Sequence, residues 1–142
     1  MPLGYFEMRD RKDRTQYYLF FATNHRLGHI KMKEAMWSVD TDGEFRFSDA
    51  TNPNQLVLFE RDIISQILDQ LQDQFGAKGM VTCSVLQTFV EDKTPFLRKH
   101  LTAALRHGEV SGRIVVEKLK IDGQARRANS YPENSRLRIL DK

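Results

Sequence analysis

SVLQTFVEDKTPFLRKHLTAALRHG, residues 84–108, decides how this chain reads. Val85, Leu86, Phe89 and Val90 recur at helical spacing, so a helix is predicted from Ser84 to about Asp92. Ser84 with Gln87 three residues later has the form of a capping box at its start. Thr94-Pro95 opens the next helix, a hydroxyl N-cap followed by proline at the first helical position, where a missing N–H costs nothing. The residue before a proline avoids helical angles, so the chain bends sharply at Lys93-Thr94-Pro95. Leu97, Leu101, Ala104 and Leu105 give the second helix a buried face, and Gly108 is a candidate for its C′ position.

Reading outward, a helix is expected from about Glu60 to Phe75, with Ile63, Ile64, Ile67, Leu68, Leu71 and Phe75 along one face and Gly76 as its stop. Met80 to Thr82 is a short strand candidate. Beyond the quoted stretch, Arg113 to Leu119 and Ser135 to Leu140 read as strands, joined by KIDGQARRANSYPEN with a turn at Asp122-Gly123. Helix, short strand, helix, tight bend, helix, strand, loop, strand is the order of a winged helix. Residues 54–142, entered through Leu56-Val57-Leu58-Phe59, are therefore expected to form a winged helix-turn-helix domain.

Residues 1–53 form the other block. Tyr5 to Met8 and Thr15 to Thr23 are strand candidates around a charged turn, RDRKDR, at 9–14. Tyr17, Leu19 and Phe21 face one way and Tyr18, Phe20 and Ala22 the other. A strand apolar on both faces belongs in a covered sheet, and a lone hairpin is marginal in water. Its partner is further strands, the second block or a second chain; a homodimer through the apolar hairpin is among the expectations. A helix follows, capped by Asn24 or Thr23, with Leu27, Ile30, Met36 and Trp37 inward and Lys31, Lys33 and Glu34 outward. It stops before Asp42-Gly43. Phe45 and Phe47 then alternate to one side. The fold class expected is α+β: a β-hairpin and helix followed by the winged helix-turn-helix domain.

Charge points to a function for the second block. From Lys93 to Lys142 there are 12 Lys or Arg against 5 Asp or Glu, while the rest of the chain has 10 against 14. Such segregation suggests an acidic partner for the basic end, most often nucleic acid. With Leu97, Leu101 and Leu105 inward, the second helix of the motif shows Arg98, Lys99, Thr102 and Arg106 on its other face. Residues 98, 102 and 106 form one row suited to a major groove, where arginine can read guanine and lysine or threonine can hold phosphate. Lys118, Lys120, Arg126 and Arg127 lie in or near the loop, placed to grip the backbone. Arg136 and Arg138 alternate outward on the last strand. Duplex DNA is thus the expected ligand; a basic face that docks a protein is the alternative reading.

Other chemistries find little support. His25 and His29 stand i, i+4, as two zinc ligands can, but no third ligand is near in sequence, so no metal is expected. The single Cys83 excludes an internal disulfide and adjoins a helix start, but no base is positioned to activate it. There is no phosphate-cradling glycine loop, no GxGxxG and no HExxH, so no cofactor and no catalytic residue is assigned. No apolar run approaches the ~20 residues that cross a bilayer, Met1 to Asp10 does not read as a signal peptide, and a lone cysteine fits a reducing compartment, so a cytoplasmic location is expected.

The run FATNHRLGHIKMKEAMWSVD, Phe21 to Asp40, with FRFSD at 45–49 and Leu58-Phe59, resembles the three-Cys-motif partner proteins of bacteria and phages. The similarity extends to the ending, Tyr131-Pro132 through Arg136-Leu137-Arg138-Ile139, and spans most of residues 15–140. Arg26 departs from it, standing where proline is expected. The resemblance implies a methyltransferase-like domain upstream, whose terminal hairpin would be residues 5–23. Any enzymatic activity would then reside in that domain, and this chain would be its non-catalytic C-terminal region.

Overall fold

A computed structural model describes residues 3–40, 46–48 and 60–140. It is a mixed α+β structure that divides into two compact units, Met1–Phe59 and Glu60–Lys142. The junction expected near residues 49–54, the segment Leu56 to Phe59, the Asp42-Gly43 stop and Phe45 lie outside the described residues.

The first unit is built on a hairpin of β1 (Leu3–Arg9) and β2 (Thr15–Ala22), paired antiparallel with Tyr5 opposite Phe20 and Glu7 opposite Tyr18. Its turn is organised by Asp10. That carboxylate accepts the N–H groups of Lys12 at 2.8 Å and Arg14 at 3.0 Å, and the Arg14 guanidinium at 2.8 Å. The Arg14 N–H, then its guanidinium and the Lys12 N–H, hold the Asp10 carboxyl down at about 2. A third strand, β3 (Arg46–Ser48), runs parallel to β1, giving the order β2-β1-β3.

Among the described residues β2 is an edge of this sheet, so the cover that its two apolar faces call for is not supplied by β1 and β3. Tyr17, Tyr18, Leu19 and Phe20 are all exposed. Helix α1 (Arg26–Val39) contacts β1. It buries Lys33, Met36 and Trp37, while Leu27 is exposed. The buried face differs from the expected one because Met36 and Trp37 set it: Lys33 lies one turn before them, and Leu27 falls off that line. Neither Thr23 nor Asn24 is the N-cap. His25 holds that position without a side-chain cap, and Thr23 Oγ1 accepts the His25 N–H at 3.1 Å.

The second unit contains α2 (Glu60–Phe75), a single 3-10 turn at Gly76–Lys78, β4 (Met80–Thr82), α3 (Cys83–Lys93), α4 (Arg98–Val110), β5 (Ile114–Val116) and β6 (Arg136–Ile139). The three strands form an antiparallel sheet of order β4-β6-β5. The core is the apolar stripe of each helix closed by alternate strand residues: Ile67, Leu68 and Leu71 from α2, Leu86 and Val90 from α3, Leu101 and Leu105 from α4, then Ile114, Leu137 and Ile139.

Gly108 is not the C′ residue of α4 but a buried member of the helix. A Cβ there would sit 2.7 Å from Ile114 Cδ1 and 3.0 Å from Leu68 Cδ2, so its lack of a side chain admits β5 and α2. The left-handed residue after α4 is Gly112, φ +76°. Gly76 likewise begins the 3-10 turn, and Gly79 has the positive φ.

Helix starts also differ from expectation. The Ser84–Gln87 box is absent, and Thr82 is the N-cap of α3. The N–H groups of Cys83 and Ser84 donate instead to the carbonyls of Ser135 and Glu133, at 2.9 and 3.0 Å. Chain far away in sequence thus satisfies the first turn. Gln87 is buried, with Nε2 3.6 Å from Cys83 Sγ. Thr94 closes α3 rather than opening α4: its hydroxyl donates to Val90 O at 2.7 Å and accepts the Phe96 N–H at 3.2 Å. Helix α4 therefore starts three residues past Pro95, at Arg98, and His100 Nδ1 accepts the Leu97 N–H at 3.1 Å.

Val85, expected in the core, is exposed, whereas Leu86 is fully buried. Leu86→Ala should lower unfolding stability by about 2–5 kcal/mol, and Val85→Ala should change it by less than about 0.5 kcal/mol. Urea melts of the two variants check this, and equal losses would refute the assignment of the buried face.

Candidate nucleic-acid interface

The expected cations fall on α4 and on the connection between β5 and β6. That connection is a small second hairpin. Leu119 and Ala125 form a bridge, and the Lys120 N–H donates to Gln124 O at 2.9 Å. Asp122-Gly123 makes the turn as the sequence suggested: Gly123 has φ +79°, and Asp122 Oδ1 accepts the Gln124 N–H at 3.0 Å. That N–H, followed by Lys120, keeps the Asp122 carboxyl below its usual range. Strands β5 and β6 are shorter than predicted because pairing between them stops at Val116 and Leu137.

The eight candidate residues separate into two groups. Lys99 and Arg106 on α4, and Lys118 and Arg127 in the loop, are exposed and, among the described residues, have no acidic partner. The other four are engaged. Arg98 Nε donates to Glu91 Oε1 at 3.0 Å and Nη1 to Glu133 Oε1 at 3.4 Å. Since Glu91 is only 4% exposed, Arg98 compensates a buried carboxylate. Thr102 Oγ1 donates back to the Arg98 carbonyl at 3.1 Å, one turn earlier on α4. Lys120 Nζ donates to Gln124 Oε1 at 3.0 Å and lies 3.4 Å from Asp122.

Arg126 departs furthest from the role read for it. Its side chain is 8% exposed. It donates to Glu109 Oε1 at 2.5 Å and to the Ser130 carbonyl at 3.0 Å, and its guanidinium lies 5.3 Å from the centre of the Tyr131 ring. Tyr131 completes the group by donating its hydroxyl to Glu109 Oε2 at 2.6 Å. Burial first, then that bond to Glu109, pushes the Tyr131 phenol up to about 12. One carboxylate near the end of α4 thus fastens the loop through two side chains.

One cation of α3 and one of β6 share this uncommitted state. Lys93, in the last turn of α3, and Arg138, on the outward face of β6, are exposed with no acidic partner among the described residues. The alternation of β6 had already turned Arg138 outward. Its neighbour Arg136 is paired with Glu117 at 2.6 Å, and Arg113 with Asp69 at 2.6 Å.

Among the described residues no group of three His, Cys, Asp or Glu is placed to hold a metal, and no helix is long and apolar enough to cross a membrane. Cys83 is buried and donates to Tyr131 O at 3.3 Å. Burial pushes its thiol up to about 11. No protein-family model, no curated protein and no solved structure matches this chain.

Arg126→Ala would leave Glu109, partly exposed, with the Tyr131 hydroxyl alone and should lower stability by about 1–3 kcal/mol, while Arg127→Ala should leave it within about 0.5 kcal/mol, as read by thermal or urea unfolding. The Cys83 thiol ionises near 9 in the unfolded chain and near 11 in the folded one, so alkaline pH between those values favours the unfolded state. Native protein at pH 8 should react with a thiol reagent at least ten times more slowly than urea-unfolded protein; equal rates would contradict the burial.

Proposed function

We propose that residues 60–142 form a winged helix-turn-helix that grips duplex DNA, with α4 as the groove-facing helix and the 117–135 connection as the wing. The observation that carries the reading is the division of cations. Lys99, Arg106, Lys118 and Arg127 stand uncommitted on the two elements that contact DNA in such a motif, while Arg98 and Arg126 serve the fold. The order β4-β6-β5 behind three helices supports the same reading. The proposal includes the three-Cys-motif partner resemblance, the chain acting in the cytoplasm as the C-terminal region of a methyltransferase-like protein and holding no catalytic residue of its own.

Leu119 and Ile121 are exposed on the wing, which favours a second reading in which the same surface docks a protein. Fluorescence anisotropy with a random 20-mer duplex separates the two. For four phosphate contacts, affinity should fall roughly 100-fold between about 50 and about 200 mM salt. Lys99→Ala/Arg106→Ala should weaken binding to all sequences and reduce the log–log salt slope by about 2. Absence of binding at the lower salt would sink the DNA reading and leave the docking one.

A further inference from the structure

Edge strands of soluble proteins are normally blunted by charge, proline, a bulge or a covering element. Strand β2, TQYYLFFA, has no charged residue and no proline or glycine, and it forms the outer edge of the order β2-β1-β3. Its one register shift lies beside the turn, at Met8/Arg9 of β1. Phe20 is 69% exposed, and its ring lies 6.3 Å from Tyr18 and 6.4 Å from Tyr5, whose rings are 6.1 Å apart. Among the described residues the unit thus presents both an unblunted backbone edge and an exposed aromatic cluster on it.

We infer that this edge is an interface with a second copy of the chain, β2 pairing antiparallel with β2 of the partner about a two-fold axis at Leu19. The sequence of the strand is self-complementary in that register. Tyr18 comes opposite the partner's Phe20 on one face, and Tyr17 opposite the partner's Phe21 on the other, so each face gains two aromatic cross-strand pairs. No charge within residues 15–22 opposes the pairing. Eight residues span about 26 Å of strand, and the two three-stranded sheets would become one of six. The exposed parts of Tyr17, Tyr18, Leu19 and Phe20, the side chains on the pairing strand, offer roughly 400 Å² per copy, taking ~200 Å² for a whole aromatic side chain. Two copies therefore offer roughly 800 Å² of side chain, and the paired backbone edge brings the total near the size at which specific interfaces begin. The dimer is independent of the nucleic-acid reading of residues 60–142, while the upstream sheet implied by the family resemblance is a rival partner for the same edge, which a chain monomeric throughout would favour.

Sedimentation equilibrium of the full chain from about 1 to 100 μM tests the inference. A reversible dimer is expected, and Phe20→Arg should weaken it about 30-fold or more while leaving the circular dichroism spectrum unchanged, since this ring is exposed in the single chain. Leu19→Cys should oxidise to a disulfide-linked dimer, the two sulfurs meeting at the axis, with the buried Cys83 not competing. A wild-type chain monomeric throughout, or a dimer indifferent to Phe20→Arg, overturns the interface. A persisting dimer in which Leu19→Cys fails to cross-link overturns the register.

Discussion

Helices α2 and α4 and strand β5 meet where Gly108 lacks a side chain. Leu68 and Ile114 occupy the space that a Cβ would take, both nearly free of solvent. Interiors packed to crystal density do not yield readily to an added methyl, so this close approach fixes the separation of the helices that carry the core. It also fixes where α4 stands against the sheet, and hence which of its residues remain outside. Lys99 and Arg106 are exposed because Leu101 and Leu105 are held on the opposite side.

Periodicity made the second unit legible. Strong apolar stripes located α2, α3 and α4, since the core selects one face of each regardless of how its ends are finished. The ends themselves were obscure. Capping at Ser84 was read from neighbours in sequence, but the N–H groups of that turn reach carbonyls of residues 133 and 135. Thr94 offered two local roles, ending one helix or starting another, and its bond to Val90 O decides for the first. In the first unit the pattern of β2 was seen correctly, and only its place in the sheet was not. Nothing local distinguishes a central strand from an edge strand.

The candidate site was legible by element and not by residue. Basic residues were rightly located on α4 and on the loop after β5, because charge and turn chemistry are written locally. Which of them are uncommitted depends on carboxylates distant in sequence. Glu91 and Glu133 take Arg98 from either side, and Glu109 takes Arg126 from seventeen residues away. A count of lysines and arginines therefore overstates the charge that a ligand would meet. The same pairing explains why two adjacent arginines, 126 and 127, have such different surroundings.

The fastening of the loop through Glu109, Arg126 and Tyr131 has a consequence for the character of recognition. A connection of nearly twenty residues would ordinarily sample many shapes and lose that freedom on meeting a ligand. Here the ordering is completed during folding, by an ion pair, a phenolic hydrogen bond and a ring beneath the guanidinium. Under the proposed reading the loop would meet its ligand already shaped, so selection would rest on the fit of groove or surface to that shape, and little on remodelling at the moment of contact.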